Sequence, residues 1–208
     1  MAAKQSIIPI VSKAFCSFSE VVLVVRRRPR VVNGGGFVVT DCKQVPIFSV
    51  DGCGILGKKE ELILRDAHGN PLLLIRRKGG IVEALSMTRQ WKGYGNDFLG
   101  SQKLVFSLKE PNTSCLSNKN PIRISIESKE YYNNYGNFEI RGDFHDRDCS
   151  IVNSRGDAIA QIGVEEEVEQ VMTGRDLYHV SIKPGIDQAF VFGVIAVLDY
   201  IYDGSTRC

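Results

Sequence analysis

The sequence predicts a mainly β protein: a closed antiparallel barrel of about twelve strands around a buried hydrophobic helix over about residues 186–202. Three observations predict it. Short apolar or alternating runs bounded by turn residues fill the chain from residue 20 to residue 182. Three of those turns share one design. The last helix-sized segment, 189–198, is apolar at every position except Gly193. A helix with no polar face is either buried in protein or spans a membrane.

Strands are read over 20–25, 37–40, 46–50, 62–65, 71–75, 81–87, 103–109, 121–126, 138–141, 150–152, 158–162 and 177–182. Several alternate apolar and polar positions as a half-buried sheet should, among them Leu104, Phe106 and Leu108, and Ile122, Ile124 and Ile126. The stretches 110–120 and 129–136, rich in Asn, Ser and Lys, are read as exposed loops.

The repeated turns are Asp41-Cys42-Lys43-Gln44-Val45 before Pro46, Asp66-Ala67-His68-Gly69-Asn70 before Pro71, and Asn153-Ser154-Arg155-Gly156-Asp157 before Ala158. An Asx side chain can accept a bond from the backbone two residues on, and Gly supplies a positive φ. Pro46 and Pro71 are tolerated where a strand opens, because no ladder donor is required there. The first copy has Gln44 where the others have Gly69 and Gly156, so its turn is expected to differ by one residue.

The helix start is marked by Pro184 and Gly185, with Asp187 placed to cap the first turn. Phe190, Val191, Val194, Ile195 and Leu198 are its expected core contacts, each side chain contributing about 1.5–3 kcal/mol when buried. Asp187 and Asp199 bracket eleven residues. These span about 17 Å as a helix, short of a hydrocarbon core of about 30 Å. The helix therefore reads as a barrel core, with no transmembrane span. The whole chain, 1–208, reads as a single domain with its core over 20–203 and an N-terminal arm over 1–19.

Net charge is only +2, yet residues 1–109 hold 17 Lys and Arg against 8 Asp and Glu, while residues 110–208 hold 9 against 16. Such asymmetry can mark an anionic partner. Six scattered cysteines with no paired spacing and no secretory leader fit reduced thiols in a cytoplasmic or nuclear protein.

Two basic runs follow strands. Arg26, Arg27 and Arg28 leave the first, and Arg76, Arg77 and Lys78 leave the fifth. Arg at a strand exit suits phosphate recognition through charge and fork-shaped donors. These six residues are the candidate contacts for anionic phospholipid head groups. Alternate residues of a strand face opposite ways, so Arg76 and Arg77 should not join one patch. The plainer role is a solvated strand end. No aromatic residues interleave with Arg26–Arg30, so nucleic acid is not expected as a partner.

Asp143, Asp146 and Asp148 around His145 lack the ligand spacing of a calcium loop or a zinc site. They read as a polar turn, and neither a metal nor a cofactor is expected. His68, His145 and His179 accompany no nucleophile motif, and Gly34-Gly35-Gly36 precedes a strand rather than a helix. No enzymatic activity is expected. Trp91 with Tyr94 fits either an interfacial anchor or a barrel plug.

The chain resembles plant LURP-one-related proteins, whose fold goes with the tubby-like proteins and the phospholipid scramblases. The resemblance lies in Phe37-Val38-Val39-Thr40-Asp41, the Asp66 hairpin with Leu74-Ile75-Arg76-Arg77-Lys78, and Trp91 ahead of Tyr94 and Gly95. It continues in Gly142-Asp143-Phe144 with Arg147-Asp148-Cys149, in Ala160-Gln161-Ile162, and in Pro184-Gly185-Ile186-Asp187 with Ala189-Phe190. It implies a twelve-stranded barrel around the C-terminal helix and a link to plant defence. It also implies relatives among membrane-tethered regulators that bind phosphoinositides. The acidic run Glu165-Glu166-Glu167 with Glu169 departs from the family's more basic stretch, and no position-matched motif carries over the tubby phosphoinositide site. The function expected is a non-enzymatic tether to anionic phospholipid, peripheral at the plasma membrane or in the nucleus. The alternative is a defence-signalling adaptor that binds protein partners and no lipid.

Overall fold

A computed structural model describes residues 7–29, 35–52, 60–78, 89–96, 100–110, 121–127, 137–164 and 176–203. Among them are twelve strands: β1 (Val21–Arg27), β2 (Gly36–Thr40), β3 (Pro46–Asp51), β4 (Glu61–Asp66), β5 (Pro71–Lys78), β6 (Gln90–Asn96), β7 (Gln102–Lys109), β8 (Arg123–Ile126), β9 (Phe138–Asp143), β10 (Asp148–Val152), β11 (Ala158–Gly163) and β12 (Leu177–Ile182). Each pairs antiparallel with its neighbours in sequence, and β12 pairs with β1, which closes the barrel. Closure leaves no unpaired sheet edge.

Inward positions alternate as the sequence implies: Leu62 and Leu64 on β4, Leu73 and Ile75 on β5, Tyr178 and Val180 on β12. They surround the helix α1 (Gln188–Leu198), every residue of which from Ala189 to Leu198 is buried, including Phe190, Val191, Val194, Ile195 and Leu198. The helix is shorter than the expected 186–202, because the chain continues from Asp199 to Asp203 as a π turn. Gly193 is the packing exception that allows close approach. A Cβ there would lie 2.8 Å from Leu73 Cδ1.

Asp187 joins two elements. Its Oδ1 accepts from Ala189 N and Phe190 N and so caps α1, while its Oδ2 accepts from Val11 N at 2.6 Å and Ser12 N at 2.8 Å. The arm is thereby docked beside the helix start. Ile8 bridges Ile186, and Phe15 packs on Phe48 with ring centroids 5.2 Å apart. Burial pushes the Asp187 carboxyl above its ordinary pKa, against the four N–H donors that favour the charged form.

The three repeated turns are the same structure. Asp41, Asp66 and Asn153 each accept from the backbone N–H two and four residues on, at 2.8–2.9 Å. The expected one-residue difference in the first turn does not occur. Gln44 takes φ 64°, the left-handed conformation that Gly69 and Gly156 occupy at 83° and 89°. All three hairpins also carry a register shift at the same place, just before the turn.

One strand escapes the sequence reading. β6 contains Lys92, Gly93, Gly95 and Asn96, without apolar alternation. Gly93 faces inward, where a Cβ would lie 2.3 Å from Phe106 Cε1, so the ring of β7 fills the space a side chain would take. The strand expected over 81–87 lies outside the described residues.

Candidate functional site

The barrel has two unlike ends. The three Asx turns, the docked arm and Asp187 lie at one. Strands β1 and β5 leave the wall at the other, where α1 also ends. Both basic runs are therefore carried to the same end of the barrel, with three strands between them along its wall.

Strand alternation then divides each run. Val25 and Ile75 are buried, so Arg27 and Arg77 face inward while Arg26, Arg76 and Lys78 face out. Arg27 lies 3.2 Å from the fully buried Asp199 and 3.1 Å from Asp176. Arg77 pairs with Glu60 and with Glu110, the latter at 3.3 Å. Arg28 donates to Val50 O at 2.6 Å and pairs with Asp51, which also takes Arg65 at 2.7 Å. Arg76 lies outside and pairs with Glu61 at 2.9 Å. Thus Arg27 holds Asp199 at the helix terminus, Arg28 holds Asp51 at the end of β3, and Arg77 holds Glu60 and Glu110. Separating such pairs would leave a buried charge uncompensated. Arg26 and Lys78 are exposed.

Among the described residues, further exposed cations toward this end include Lys109 on β7, Arg123 on β8, Arg141 on β9 and, just before β6, Arg89, which lies 4.0 Å from Glu110. Single positions in separate strands supply them, so no run in the sequence marks them. Only strand register brings them together.

Trp91 is a plug. It is wholly buried, donates from Nε1 to Glu110 at 2.7 Å and meets Tyr200 edge-on at 4.7 Å. In the β9–β10 turn, Arg147 adopts φ 57° and stacks its guanidinium on Phe144 and Tyr178, at 4.6 and 4.2 Å from the ring centroids. Asp143 is spent on turn geometry, accepting from His145 N at 2.8 Å. Burial pushes the Cys16 and Cys149 thiols up to about 12 and so disfavours the nucleophilic thiolate. An open hollow of about 590 Å³ indents the outer wall over β9–β12, between Arg141, Ser150, Gln161, His179 and Ser181. Among the described residues no helix is long and apolar enough to cross a membrane.

The model of the LURP-one-related family matches residues 21–199. The chain is 56 % identical over 199 residues to Protein LURP-one-related 6 of Arabidopsis thaliana, covering 96 % of this chain and 98 % of the relative. It is 50 % identical over 213 residues to Protein LURP-one-related 16 of the same plant, covering 99 % and 98 %. An X-ray structure of an Arabidopsis thaliana protein superposes with a TM-score of 0.61 at 18 % identity, over 92 % of this chain and 97 % of that one, a likeness of fold.

Proposed function

The chain belongs to the LURP-one-related family, and on that premise we propose that it is a non-enzymatic module that associates peripherally with anionic phospholipid head groups. The observation that carries this reading is a division of labour among the basic residues. Arg27 and Arg77 turn inward onto Asp199, Glu60 and Glu110, while Arg26, Lys109 and Arg123 are exposed at the same end of the barrel. An exposed cation near an anionic leaflet contributes about 1 kcal/mol, so several acting together can hold a soluble-sized barrel at a surface. The attraction falls within a Debye length and is therefore sensitive to salt.

On this reading the protein works in the cytoplasm, at the plasma membrane or in the nucleus. Plant defence is the setting that the resemblance to LURP-one-related proteins implies. The test is sedimentation of the pure protein with phosphatidylcholine vesicles, with and without phosphatidylserine or phosphatidylinositol bisphosphate, at low and physiological salt. Binding that needs the anionic lipid and weakens with salt is expected. No binding to any vesicle at low salt overturns the reading.

A further inference from the structure

The register of β5 to β8 arranges outward cations in two rows across one wall. Lys78 pairs with Gln90, Gln90 with Lys109, and Lys109 with Arg123. Two residues further along each strand, Arg76 pairs with Lys92, Lys92 with Ser107, and Ser107 with Ser125, so this shorter row holds two half-buried cations beside the buried Ser107. Strands lie about 4.8 Å apart, so the first row carries three cations across about 14 Å. Glu61, bonded to Arg76, is the acid that borders these rows on β4. On the far side Glu139 of β9 stands directly opposite Arg123 in register and is engaged by Arg141 at 2.6 Å.

Two of these pairings set like charges directly opposite: Arg76 against Lys92, and Lys109 against Arg123. Like charges at opposed positions destabilise a sheet. Salt and water weaken the repulsion without removing it, and a layer of anions lying on the wall would turn it into attraction.

We propose that the outer face of β5–β8 is the surface that lies on an anionic phospholipid bilayer, with Lys92, Lys109 and Arg123 as contacts beside Lys78 and Arg76. This rests on the lipid reading above and replaces its footprint. Arg26, on β1, lies outside the contact. A flat array of head-group phosphates matches a row spread over four strands. A single phosphate would need converging donors.

The test is the double reversal Lys92→Glu/Lys109→Glu beside Arg26→Glu, each assayed by sedimentation with phosphatidylcholine vesicles containing phosphatidylserine. Each wall reversal creates an opposite-charge pair with Arg76 or Arg123, so the double variant should fold with an unchanged or higher melting temperature. Its vesicle affinity should fall more than about twentyfold, at roughly fivefold per cation removed, while Arg26→Glu binds nearly as the parent does. Undiminished binding by the double variant with loss in Arg26→Glu overturns the wall as the footprint and leaves the lipid reading standing. A parent chain that binds no anionic vesicle overturns both.

Discussion

Arg27 and Asp199 tie the end of the first strand to the end of the only described α-helix: Nε lies 3.2 Å from Oδ1, and Asp199 is fully buried. A carboxylate at a helix C-terminus opposes the macrodipole, and the guanidinium offsets it. A residue that looks like surface charge in the sequence is thus part of the closure of the barrel around its core.

Arg27→Ala should therefore destabilise the fold by about 3 kcal/mol or more, because it strands a buried charge. Arg26→Ala, one residue earlier and exposed, should stay within about 0.5 kcal/mol of the parent. Urea unfolding of the two variants checks this; equal midpoints would contradict it.

Val194→Asp or Ile195→Asp places a carboxylate at a fully buried position of α1. Neither variant should be recovered as a soluble, cooperatively melting protein, since an unpaired buried charge costs far more than a domain's margin of stability. A scanning calorimeter trace of purified protein decides it.

Gly93→Ala should cost about 1–3 kcal/mol, because its Cβ would fall 2.3 Å from the Phe106 ring. Gly193→Ala should cost less, since the nearest atom is the mobile end of Leu73. Their order in chemical denaturation is the measured quantity.

Asp187→Ala removes the helix cap and the anchor of the arm together. Loss of the cap alone costs about 0.5–2 kcal/mol. Amide exchange at Val11 and Ser12 should accelerate in the same variant, and unchanged exchange there would show that Asp187 does not hold the arm.

With their thiols raised to about 12, Cys16 and Cys149 should stay unmodified by iodoacetamide near neutral pH, while exposed Cys42 reacts. Only the thiolate attacks, so alkylation of Cys149 should still be rising with pH at the alkaline limit of folding. Peptide mass mapping across a pH series reads this out. Rapid alkylation of Cys149 at neutral pH would contradict its burial.

The barrel and its helix were legible because both rest on local chemistry: a segment with no polar face, and Asx turns that close by their own backbone bonds. β6 was not, because its inward glycine is explained by a ring on β7, far away in space until the strands pair. Gln44 misled for a related reason. A side chain is tolerated at φ 64° where two bonds to Asp41 fix the loop. Strand alternation separates Arg76 from Arg77 as the sequence implies, and in the first run it likewise turns Arg27 inward and leaves Arg26 out. Their acidic partners, Asp199, Glu60 and Glu110, lie in other elements and could not be foreseen. The rows on β5–β8 were invisible for the same reason, since register alone assembles them.

The most direct test of membrane docking by this wall uses an environment-sensitive dye, with Cys53, Cys115 and Cys208 replaced by serine. One protein carries the dye at Ser125→Cys, on the outer face of β8 with Cys42 also replaced; the other carries it at the native Cys42, on the hairpin end. Adding phosphatidylserine vesicles should blue-shift the dye at 125 and leave the dye at 42 unchanged. A shift at 42 with none at 125, or none at either, would contradict the account.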